Sequence, residues 1–95
     1  MTTTVTIKTV IEGAEPQYVI VVGDTAQKHV LRKFNVTADE KVDAIKVLHA
    51  ALIQMMIDMR DAPDASGPTK RACSIAITDL EKVQMACVKA NFVQA

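Results

Sequence analysis

The stretch from Val42 to Met59 constrains this chain most. Val42, Ile45, Leu52, Met56 and Met59 recur at spacings of three and four, with His49 in the same row, which is the pattern of an apolar stripe on a helix. Val47, Leu48, Ala51, Ile53 and Met55 add apolar surface around the cylinder. Between Val47 and Ile57 the helix is therefore too apolar for a single neighbour, and two packed sides are expected. A chain of 95 residues makes about one small domain, 1–95. That domain must supply both neighbours or borrow one from another copy.

Local signals bound this helix. In Thr37-Ala38-Asp39-Glu40, Thr37 is placed to cap the first free amides and Glu40 to return a bond to the cap residue's own amide. Acidic Asp39, Glu40 and Asp43 near the start and Arg60 at the end suit the macrodipole, and the expected span is 36–60. Asp61 to Gly67, with Pro63 and Ser66, is a breaker-rich loop able to reverse the chain into an antiparallel helical hairpin. Pro68 or Thr69 then opens a second helix, 68–92, of roughly 36 Å. Its small row, Ala72, Ala76, Asp79, Val83, Ala86 and Ala90, is expected to allow close helix approach. Ile77, Leu80, Cys87 and Val88, with Ile75 and Met85, make its bulky side.

Upstream, Val5, Ile7 and Ile11 share a face with Thr9 while Thr4, Thr6 and Lys8 alternate with them, as in a half-buried strand. Tyr18 to Val22 is a second β-branched run closed by Gly23-Asp24. A β-hairpin over 1–23, reversing across Glu12 to Gln17, follows. Residues 24–35, with Lys28, His29, Arg32 and Lys33, form a basic connector that can begin with a short helix. The expected fold is thus mainly α, an antiparallel two-helix hairpin with an N-terminal β-hairpin. Two helices and one hairpin cannot cover this much apolar surface, so a homo-oligomeric helical bundle is expected.

Eleven Lys and Arg balance eleven Asp and Glu, which disfavours the phosphate neutralisation on which duplex binding depends. No apolar run reaches the roughly 18 to 20 residues of a membrane helix, and the Thr-rich start lacks the basic-then-apolar order of a signal peptide. A cytosolic protein with no membrane partner is expected. Cys73 and Cys87 fall on one helix about 21 Å apart, too far for a disulfide. They are expected as buried thiols. Metal-ligand spacings, a phosphate-cradling Gly-rich loop and a Gly-x-Ser-x-Gly turn are absent from the sequence, so no cofactor, metal or enzymatic activity is expected. His49 reads as a hydrogen-bonded buried or interface histidine, and Asp79 as a carboxylate paired to Lys or Arg. A small anionic ligand needs few cations, and Arg71 and Thr78 on one helix with Lys46 on the other are of the right kind.

Phe34-Asn35, Val42-Asp43-Ala44-Ile45-Lys46 and Arg71-Ala72-Cys73-Ser74-Ile75-Ala76-Ile77-Thr78-Asp79-Leu80-Glu81, followed by Met85 and Val88-Lys89-Ala90, are recognisable together. In order and spacing they resemble the small phage anti-CBASS sponge family over about residues 34 to 91. The resemblance implies a non-enzymatic protein, in the cytoplasm of an infected bacterial host, that holds cyclic di- and trinucleotide immune second messengers without cleaving them. It also implies a helical homo-oligomer, commonly a hexamer, with ligand pockets between subunits. By position Lys46 matches the family's phosphate-contacting lysine, and Arg71 and Thr78 match positions assigned to a trinucleotide pocket. The sequence departs from the pattern where Val36-Thr37-Ala38 replaces Pro-Ser-Gly, where Ala86 replaces an aromatic, and where Leu31 aligns with the aromatic that stacks on a base. Phe34 or Tyr18 is then the expected base platform, with His29 and Arg32 as further candidates.

The reading from another class is a helical interaction module that inhibits a host protein by direct contact, with Met55, Met56 and Met59 as the adaptable surface. A hydrolase of the same messengers lacks a base and a metal site in the sequence.

Overall fold

The computed structural model describes residues 2–15, 17–33, 35 and 38–93. In chain order these form β1 (Thr3–Lys8), β2 (Gln17–Val22), α1 (Asp24–His29), α2 (Glu40–Asp61) and α3 (Gly67–Phe92). The fold is mainly helical: two long helices pack together and a two-stranded antiparallel sheet lies at the N-terminal end.

The hairpin pairs Thr3 with Val22, Val5 with Ile20 and Ile7 with Tyr18, so the expected alternation fixes its faces. The chain reverses more tightly than expected. Ile11 and Ala14 exchange backbone bonds of 2.9 Å around Glu12 and Gly13, whose φ values are 50° and 81°. Positive φ at both central residues is the type I′ geometry, which matches the twist of paired strands.

The connector does begin with a helix. The end of α1 is closed by Leu31 N–H donating to the Lys28 carbonyl at 3.0 Å and Arg32 N–H to that of Gln27 at 3.1 Å. This double bond pattern requires a left-handed residue at its centre. Leu31 fills that place at φ 52°, at about 1–2 kcal/mol relative to an ordinary conformation.

The start of α2 corrects the expectation. Asp39 is its cap, its carboxylate accepting from Lys41 N at 2.8 Å and Val42 N at 3.0 Å, so Glu40 is the first helical residue rather than the third. Asn35 fixes this register: its Oδ1 accepts from Asp39 N at 3.0 Å and its Nδ2 donates to the Asp39 carbonyl at 2.9 Å. The expected cap, Thr37, lies outside the described residues. α3 begins one residue before the expected Pro68, with Ser66 Oγ accepting from Thr69 N at 3.2 Å. Pro68 sits in the first turn, where an amide proton is not needed.

The core joins Ile20, Val22, Ala26, Val30, Ala50, Ala51, Ile53 and Ile77. α2 packs against α3, β2 and α1. Its deepest row is nonetheless Val42, Lys46, Ala50 and Ile53, while Leu52 and Met59 of the expected stripe stay exposed. α3 differs in the same way. It presents Cys73, Ile77 and Gln84 inward, with Leu80, Cys87 and Val88 half-buried, whereas Ala72, Asp79, Val83, Ala86 and Ala90 of the small row are exposed. Bulky side chains spanning the gap bury more apolar area per contact than alanines, and that decides which face turns inward. Both thiols are free, Cys73 buried and Cys87 half-buried.

One guanidinium ties the layers together. Arg32 donates to Asp43 Oδ1 and Oδ2 on α2 at 3.1 and 3.3 Å, to Gln27 Oε1 on α1 at 2.7 Å, and to Thr3 Oγ1 on β1. Only a planar fork serves three directions at once.

Candidate functional site

The residues flagged by the sequence fall in three places. Lys46 faces inward at 5% exposure, and its ammonium donates to the Leu31 carbonyl at 2.7 Å. The left-handed turn at Leu31 aims that carbonyl at α2, so a strained backbone residue and a buried lysine hold each other. Burial pushes the Lys46 ammonium below the ordinary lysine range, against the opposing pull of Asp43. Arg71 and Thr78 are exposed on α3. Arg71 makes no ion pair among the described residues, and Thr78 Oγ1 donates to the Ser74 carbonyl at 3.2 Å. Tyr18 stands on the hairpin at 57% exposure. Phe34 lies outside the described residues.

The structure does not bring Lys46 and Arg71 together within one chain. Asn91 Nδ2 donates to Asp39 Oδ2 at 3.5 Å, which sets the antiparallel register of α3 on α2. Lys46 then lies level with about Gln84, thirteen residues and so roughly 20 Å along α3 from Arg71. Two cations so far apart do not grip one small anion within a single chain.

Arg71, Ser74 and Thr78, spaced three and four apart, instead form one exposed row on α3. It offers a guanidinium and two hydroxyl oxygens over about 10 Å. Lys82 is one turn further on and also exposed.

A second feature was not legible as a site. α1, the turn at Leu31 and α3 enclose an open cleft of about 370 Å³. Leu31 and Met85 give it apolar walls, and Thr25 and Lys28 line it from α1. His29 Nδ1 donates to Glu81 Oε1 at 2.5 Å across it, so α1 is pinned to α3. At its base Gln84 is 2% exposed, and its Oε1 accepts no hydrogen bond among the described residues. The one signal for Gln84 was its place seven residues after Ile77 and four after Leu80, a polar group within an apolar row. Leu31 thus stands at a cleft wall as an aliphatic side chain.

Other expectations resolve individually. His49 is half-buried, its Nδ1 donating to the Ile45 carbonyl at 2.7 Å as a satisfied helix histidine does. Asp79 is exposed with no ion pair among the described residues. Met55 and Met56 pack against the chain's own core, which leaves Met59, 49% exposed, as the one free member of the methionine surface. The described residues hold no group of three His, Cys, Asp or Glu placed to share a metal ion, and no helix among them is long and apolar enough to cross a membrane. Comparison with family models, curated proteins and solved structures gives no match to this chain.

Proposed function

We propose that this chain is a phage anti-defence protein that sequesters cyclic di- and trinucleotide immune messengers as a homo-oligomer, a hexamer in the resembled family, without cleaving them. The observation that supports it is the exposed Arg71, Ser74 and Thr78 row. The row carries the motif residues of the resemblance, and its guanidinium is available to an anion. A bidentate guanidinium and the neighbouring Ser74 hydroxyl match phosphate oxygens, and Thr78 joins them on turning its hydroxyl away from the Ser74 carbonyl. Overall neutrality fits a ligand with two or three phosphates better than a polyanion.

Surface area supports the oligomeric part. A compact monomer of 10.3 kDa exposes about 5,400 Å², whereas this chain exposes 6750 Å². The excess, roughly 1,400 Å², is more than the ~800 Å² that each partner gives up in an ordinary stable interface. Copies that meet there can bring Arg71 and Thr78 of one chain to Lys46 of the next. Tyr18 or Phe34 serves as the base platform. Sequestration acts by mass action: holding the messenger keeps its free concentration below what the effector needs.

Calorimetric titration with a panel of cyclic di- and trinucleotides, followed by heat release and analysis of the ligand, tests this. Tight binding with intact ligand recovered is the expected result, and Arg71→Ala should weaken it about tenfold to a hundredfold with the assembly unchanged. Absence of binding across the panel would sink the reading and pass the exposed apolar surface to a host-protein contact. Recovery of linear product would replace sequestration by catalysis.

A further inference from the structure

The β-hairpin is only half supported. Its ladder runs from Thr3↔Val22 to Lys8↔Gln17, and the isolated Ile11↔Ala14 bridge near the turn keeps the same register, so Ile7, Tyr18 and Ile11 fall on the face of Val5 and Ile20. On the inward face Ile20, Val22 and Val5 join the core. The next apolar residues on that face, Ile7, Tyr18 and Ile11, are 41%, 57% and 60% exposed. The apolar stripe therefore continues past the edge of the helical layer. A two-stranded ribbon is marginal in water by itself, and this one extends its apolar face into solvent.

The same chain carries a surface of matching character. Leu48, Leu52 and Met59 on α2 are 58%, 46% and 49% exposed, and spacings of four and seven place them in one row. Arm and row are both apolar, both uncovered, and both present in every copy. The chain's excess of roughly 1,400 Å² over a compact monomer is enough for each copy to give and receive one such contact. Eleven positive and eleven negative side chains leave no net charge to hold copies apart.

We infer that the overhanging hairpin is an assembly arm, and that its Ile7, Ile11 and Tyr18 face docks on the Leu48, Leu52 and Met59 row of a second copy of this chain, which leaves Phe34 as the base platform of the ligand reading. Because each copy offers both surfaces, a two-fold pair makes the contact twice. The inference goes beyond the ligand reading and holds whether or not a messenger is bound.

Light scattering of the full chain at micromolar concentration is the first measurement, and a mass that is a multiple of 10.3 kDa is expected. Ile7→Asp with Ile11→Asp breaks the arm, and Leu52→Asp breaks the row. Each should raise the dissociation constant about thirtyfold or more while the far-UV helical signal is kept. Val10→Asp, on the opposite face of the same ribbon, should leave the assembly intact and so controls for damage to the hairpin itself. Mixing the arm variant with the row variant should restore one of the two contacts, and with it an association weaker than wild type but tighter than either variant alone, since one still has its row and the other its arm. A monomeric wild type would overturn the inference. So would an assembly untouched by either change, an assembly lost with Val10→Asp, or dissociated variants that fail to reassociate on mixing. Messenger binding by a wild type whose assembly ignores the arm variant would refute the arm and leave the ligand reading standing.

Discussion

Lys46→Met tests the structural role of that lysine. Methionine keeps most of the stem's volume and removes the ammonium. The substitution gives up the 2.7 Å bond to the Leu31 carbonyl, a charge-assisted interaction of about 1.5–3 kcal/mol. It also relieves the desolvation that depresses the Lys46 pKa, so a net loss of about 1–2 kcal/mol at neutral pH is expected. The sign of the pH dependence is fixed. A lysine whose folded value lies below 10.5 binds its proton less readily folded than unfolded. Wild-type stability therefore rises from that lowered value up to 10.5, and the neutral amine still donates to Leu31. Lys46→Met lacks this rise, so the gap between the two proteins should widen over that window and level off above it. Every other titrating group is common to both and cancels. Urea unfolding followed by far-UV circular dichroism, at neutral pH and at steps up to 10.5, reads the difference. Equal stability of the two proteins, or a gap that does not change with pH, would refute the buried-donor account.

Arg32→Lys should lower stability by about 1–2 kcal/mol despite keeping the charge, because a point charge cannot hold Asp43, Gln27 and Thr3 together; hydrogen exchange at Val5 and Ile20 amides should speed up first, and unchanged exchange would refute the tie. Glu12→Asn should raise stability by about 0.5 kcal/mol, since asparagine tolerates the positive φ of the type I′ turn; a loss in urea unfolding would count against that turn. The Asp39 carboxyl is held below its usual 3.8, first by the Val42 amide, so its capping contribution is complete above 3.8 and fades as pH falls through the folded value. Asp39→Ala should therefore be the less stable protein at neutral pH and converge with wild type in acid, and a gap that persists in acid would contradict the cap.

The periodic parts of this fold were legible in the sequence. Alternation at Val5, Ile7, Thr9 and Ile11 assigned the hairpin's faces, and the breakers between Asp61 and Gly67 placed the reversal between α2 and α3. The core rows were not, because counting apolar residues skips the polar ones that pack among them. Lys46 lies between Val42 and Ala50 on the deepest row of α2, and Gln84 follows Ile77 and Leu80 on that of α3. Both were invisible to a hydropathy pattern until their packing was known. The cap was misplaced because Thr37 and Asp39 both suit the role, and the choice rests on the Asn35 side chain folding back on Asp39. As for the site, Arg71 and Thr78 could be named as ligand-type residues, but the distance separating Arg71 from Lys46 depends on the helix register. The cleft joins residues fifty or more positions apart, His29 with Glu81, and no local pattern announces such a pair.

The two thiols on α3 make the helical hairpin a clock. Cys73 is buried at 3% exposure and Cys87 half-buried, on one helix and about 21 Å apart. A thiol reagent reaches Cys87 through fraying of the last turns of α3, whereas Cys73 reacts only when α2 and α3 part. The ratio of the two labelling rates therefore reports how often the hairpin opens as a unit, against an internal standard carried by the same molecule.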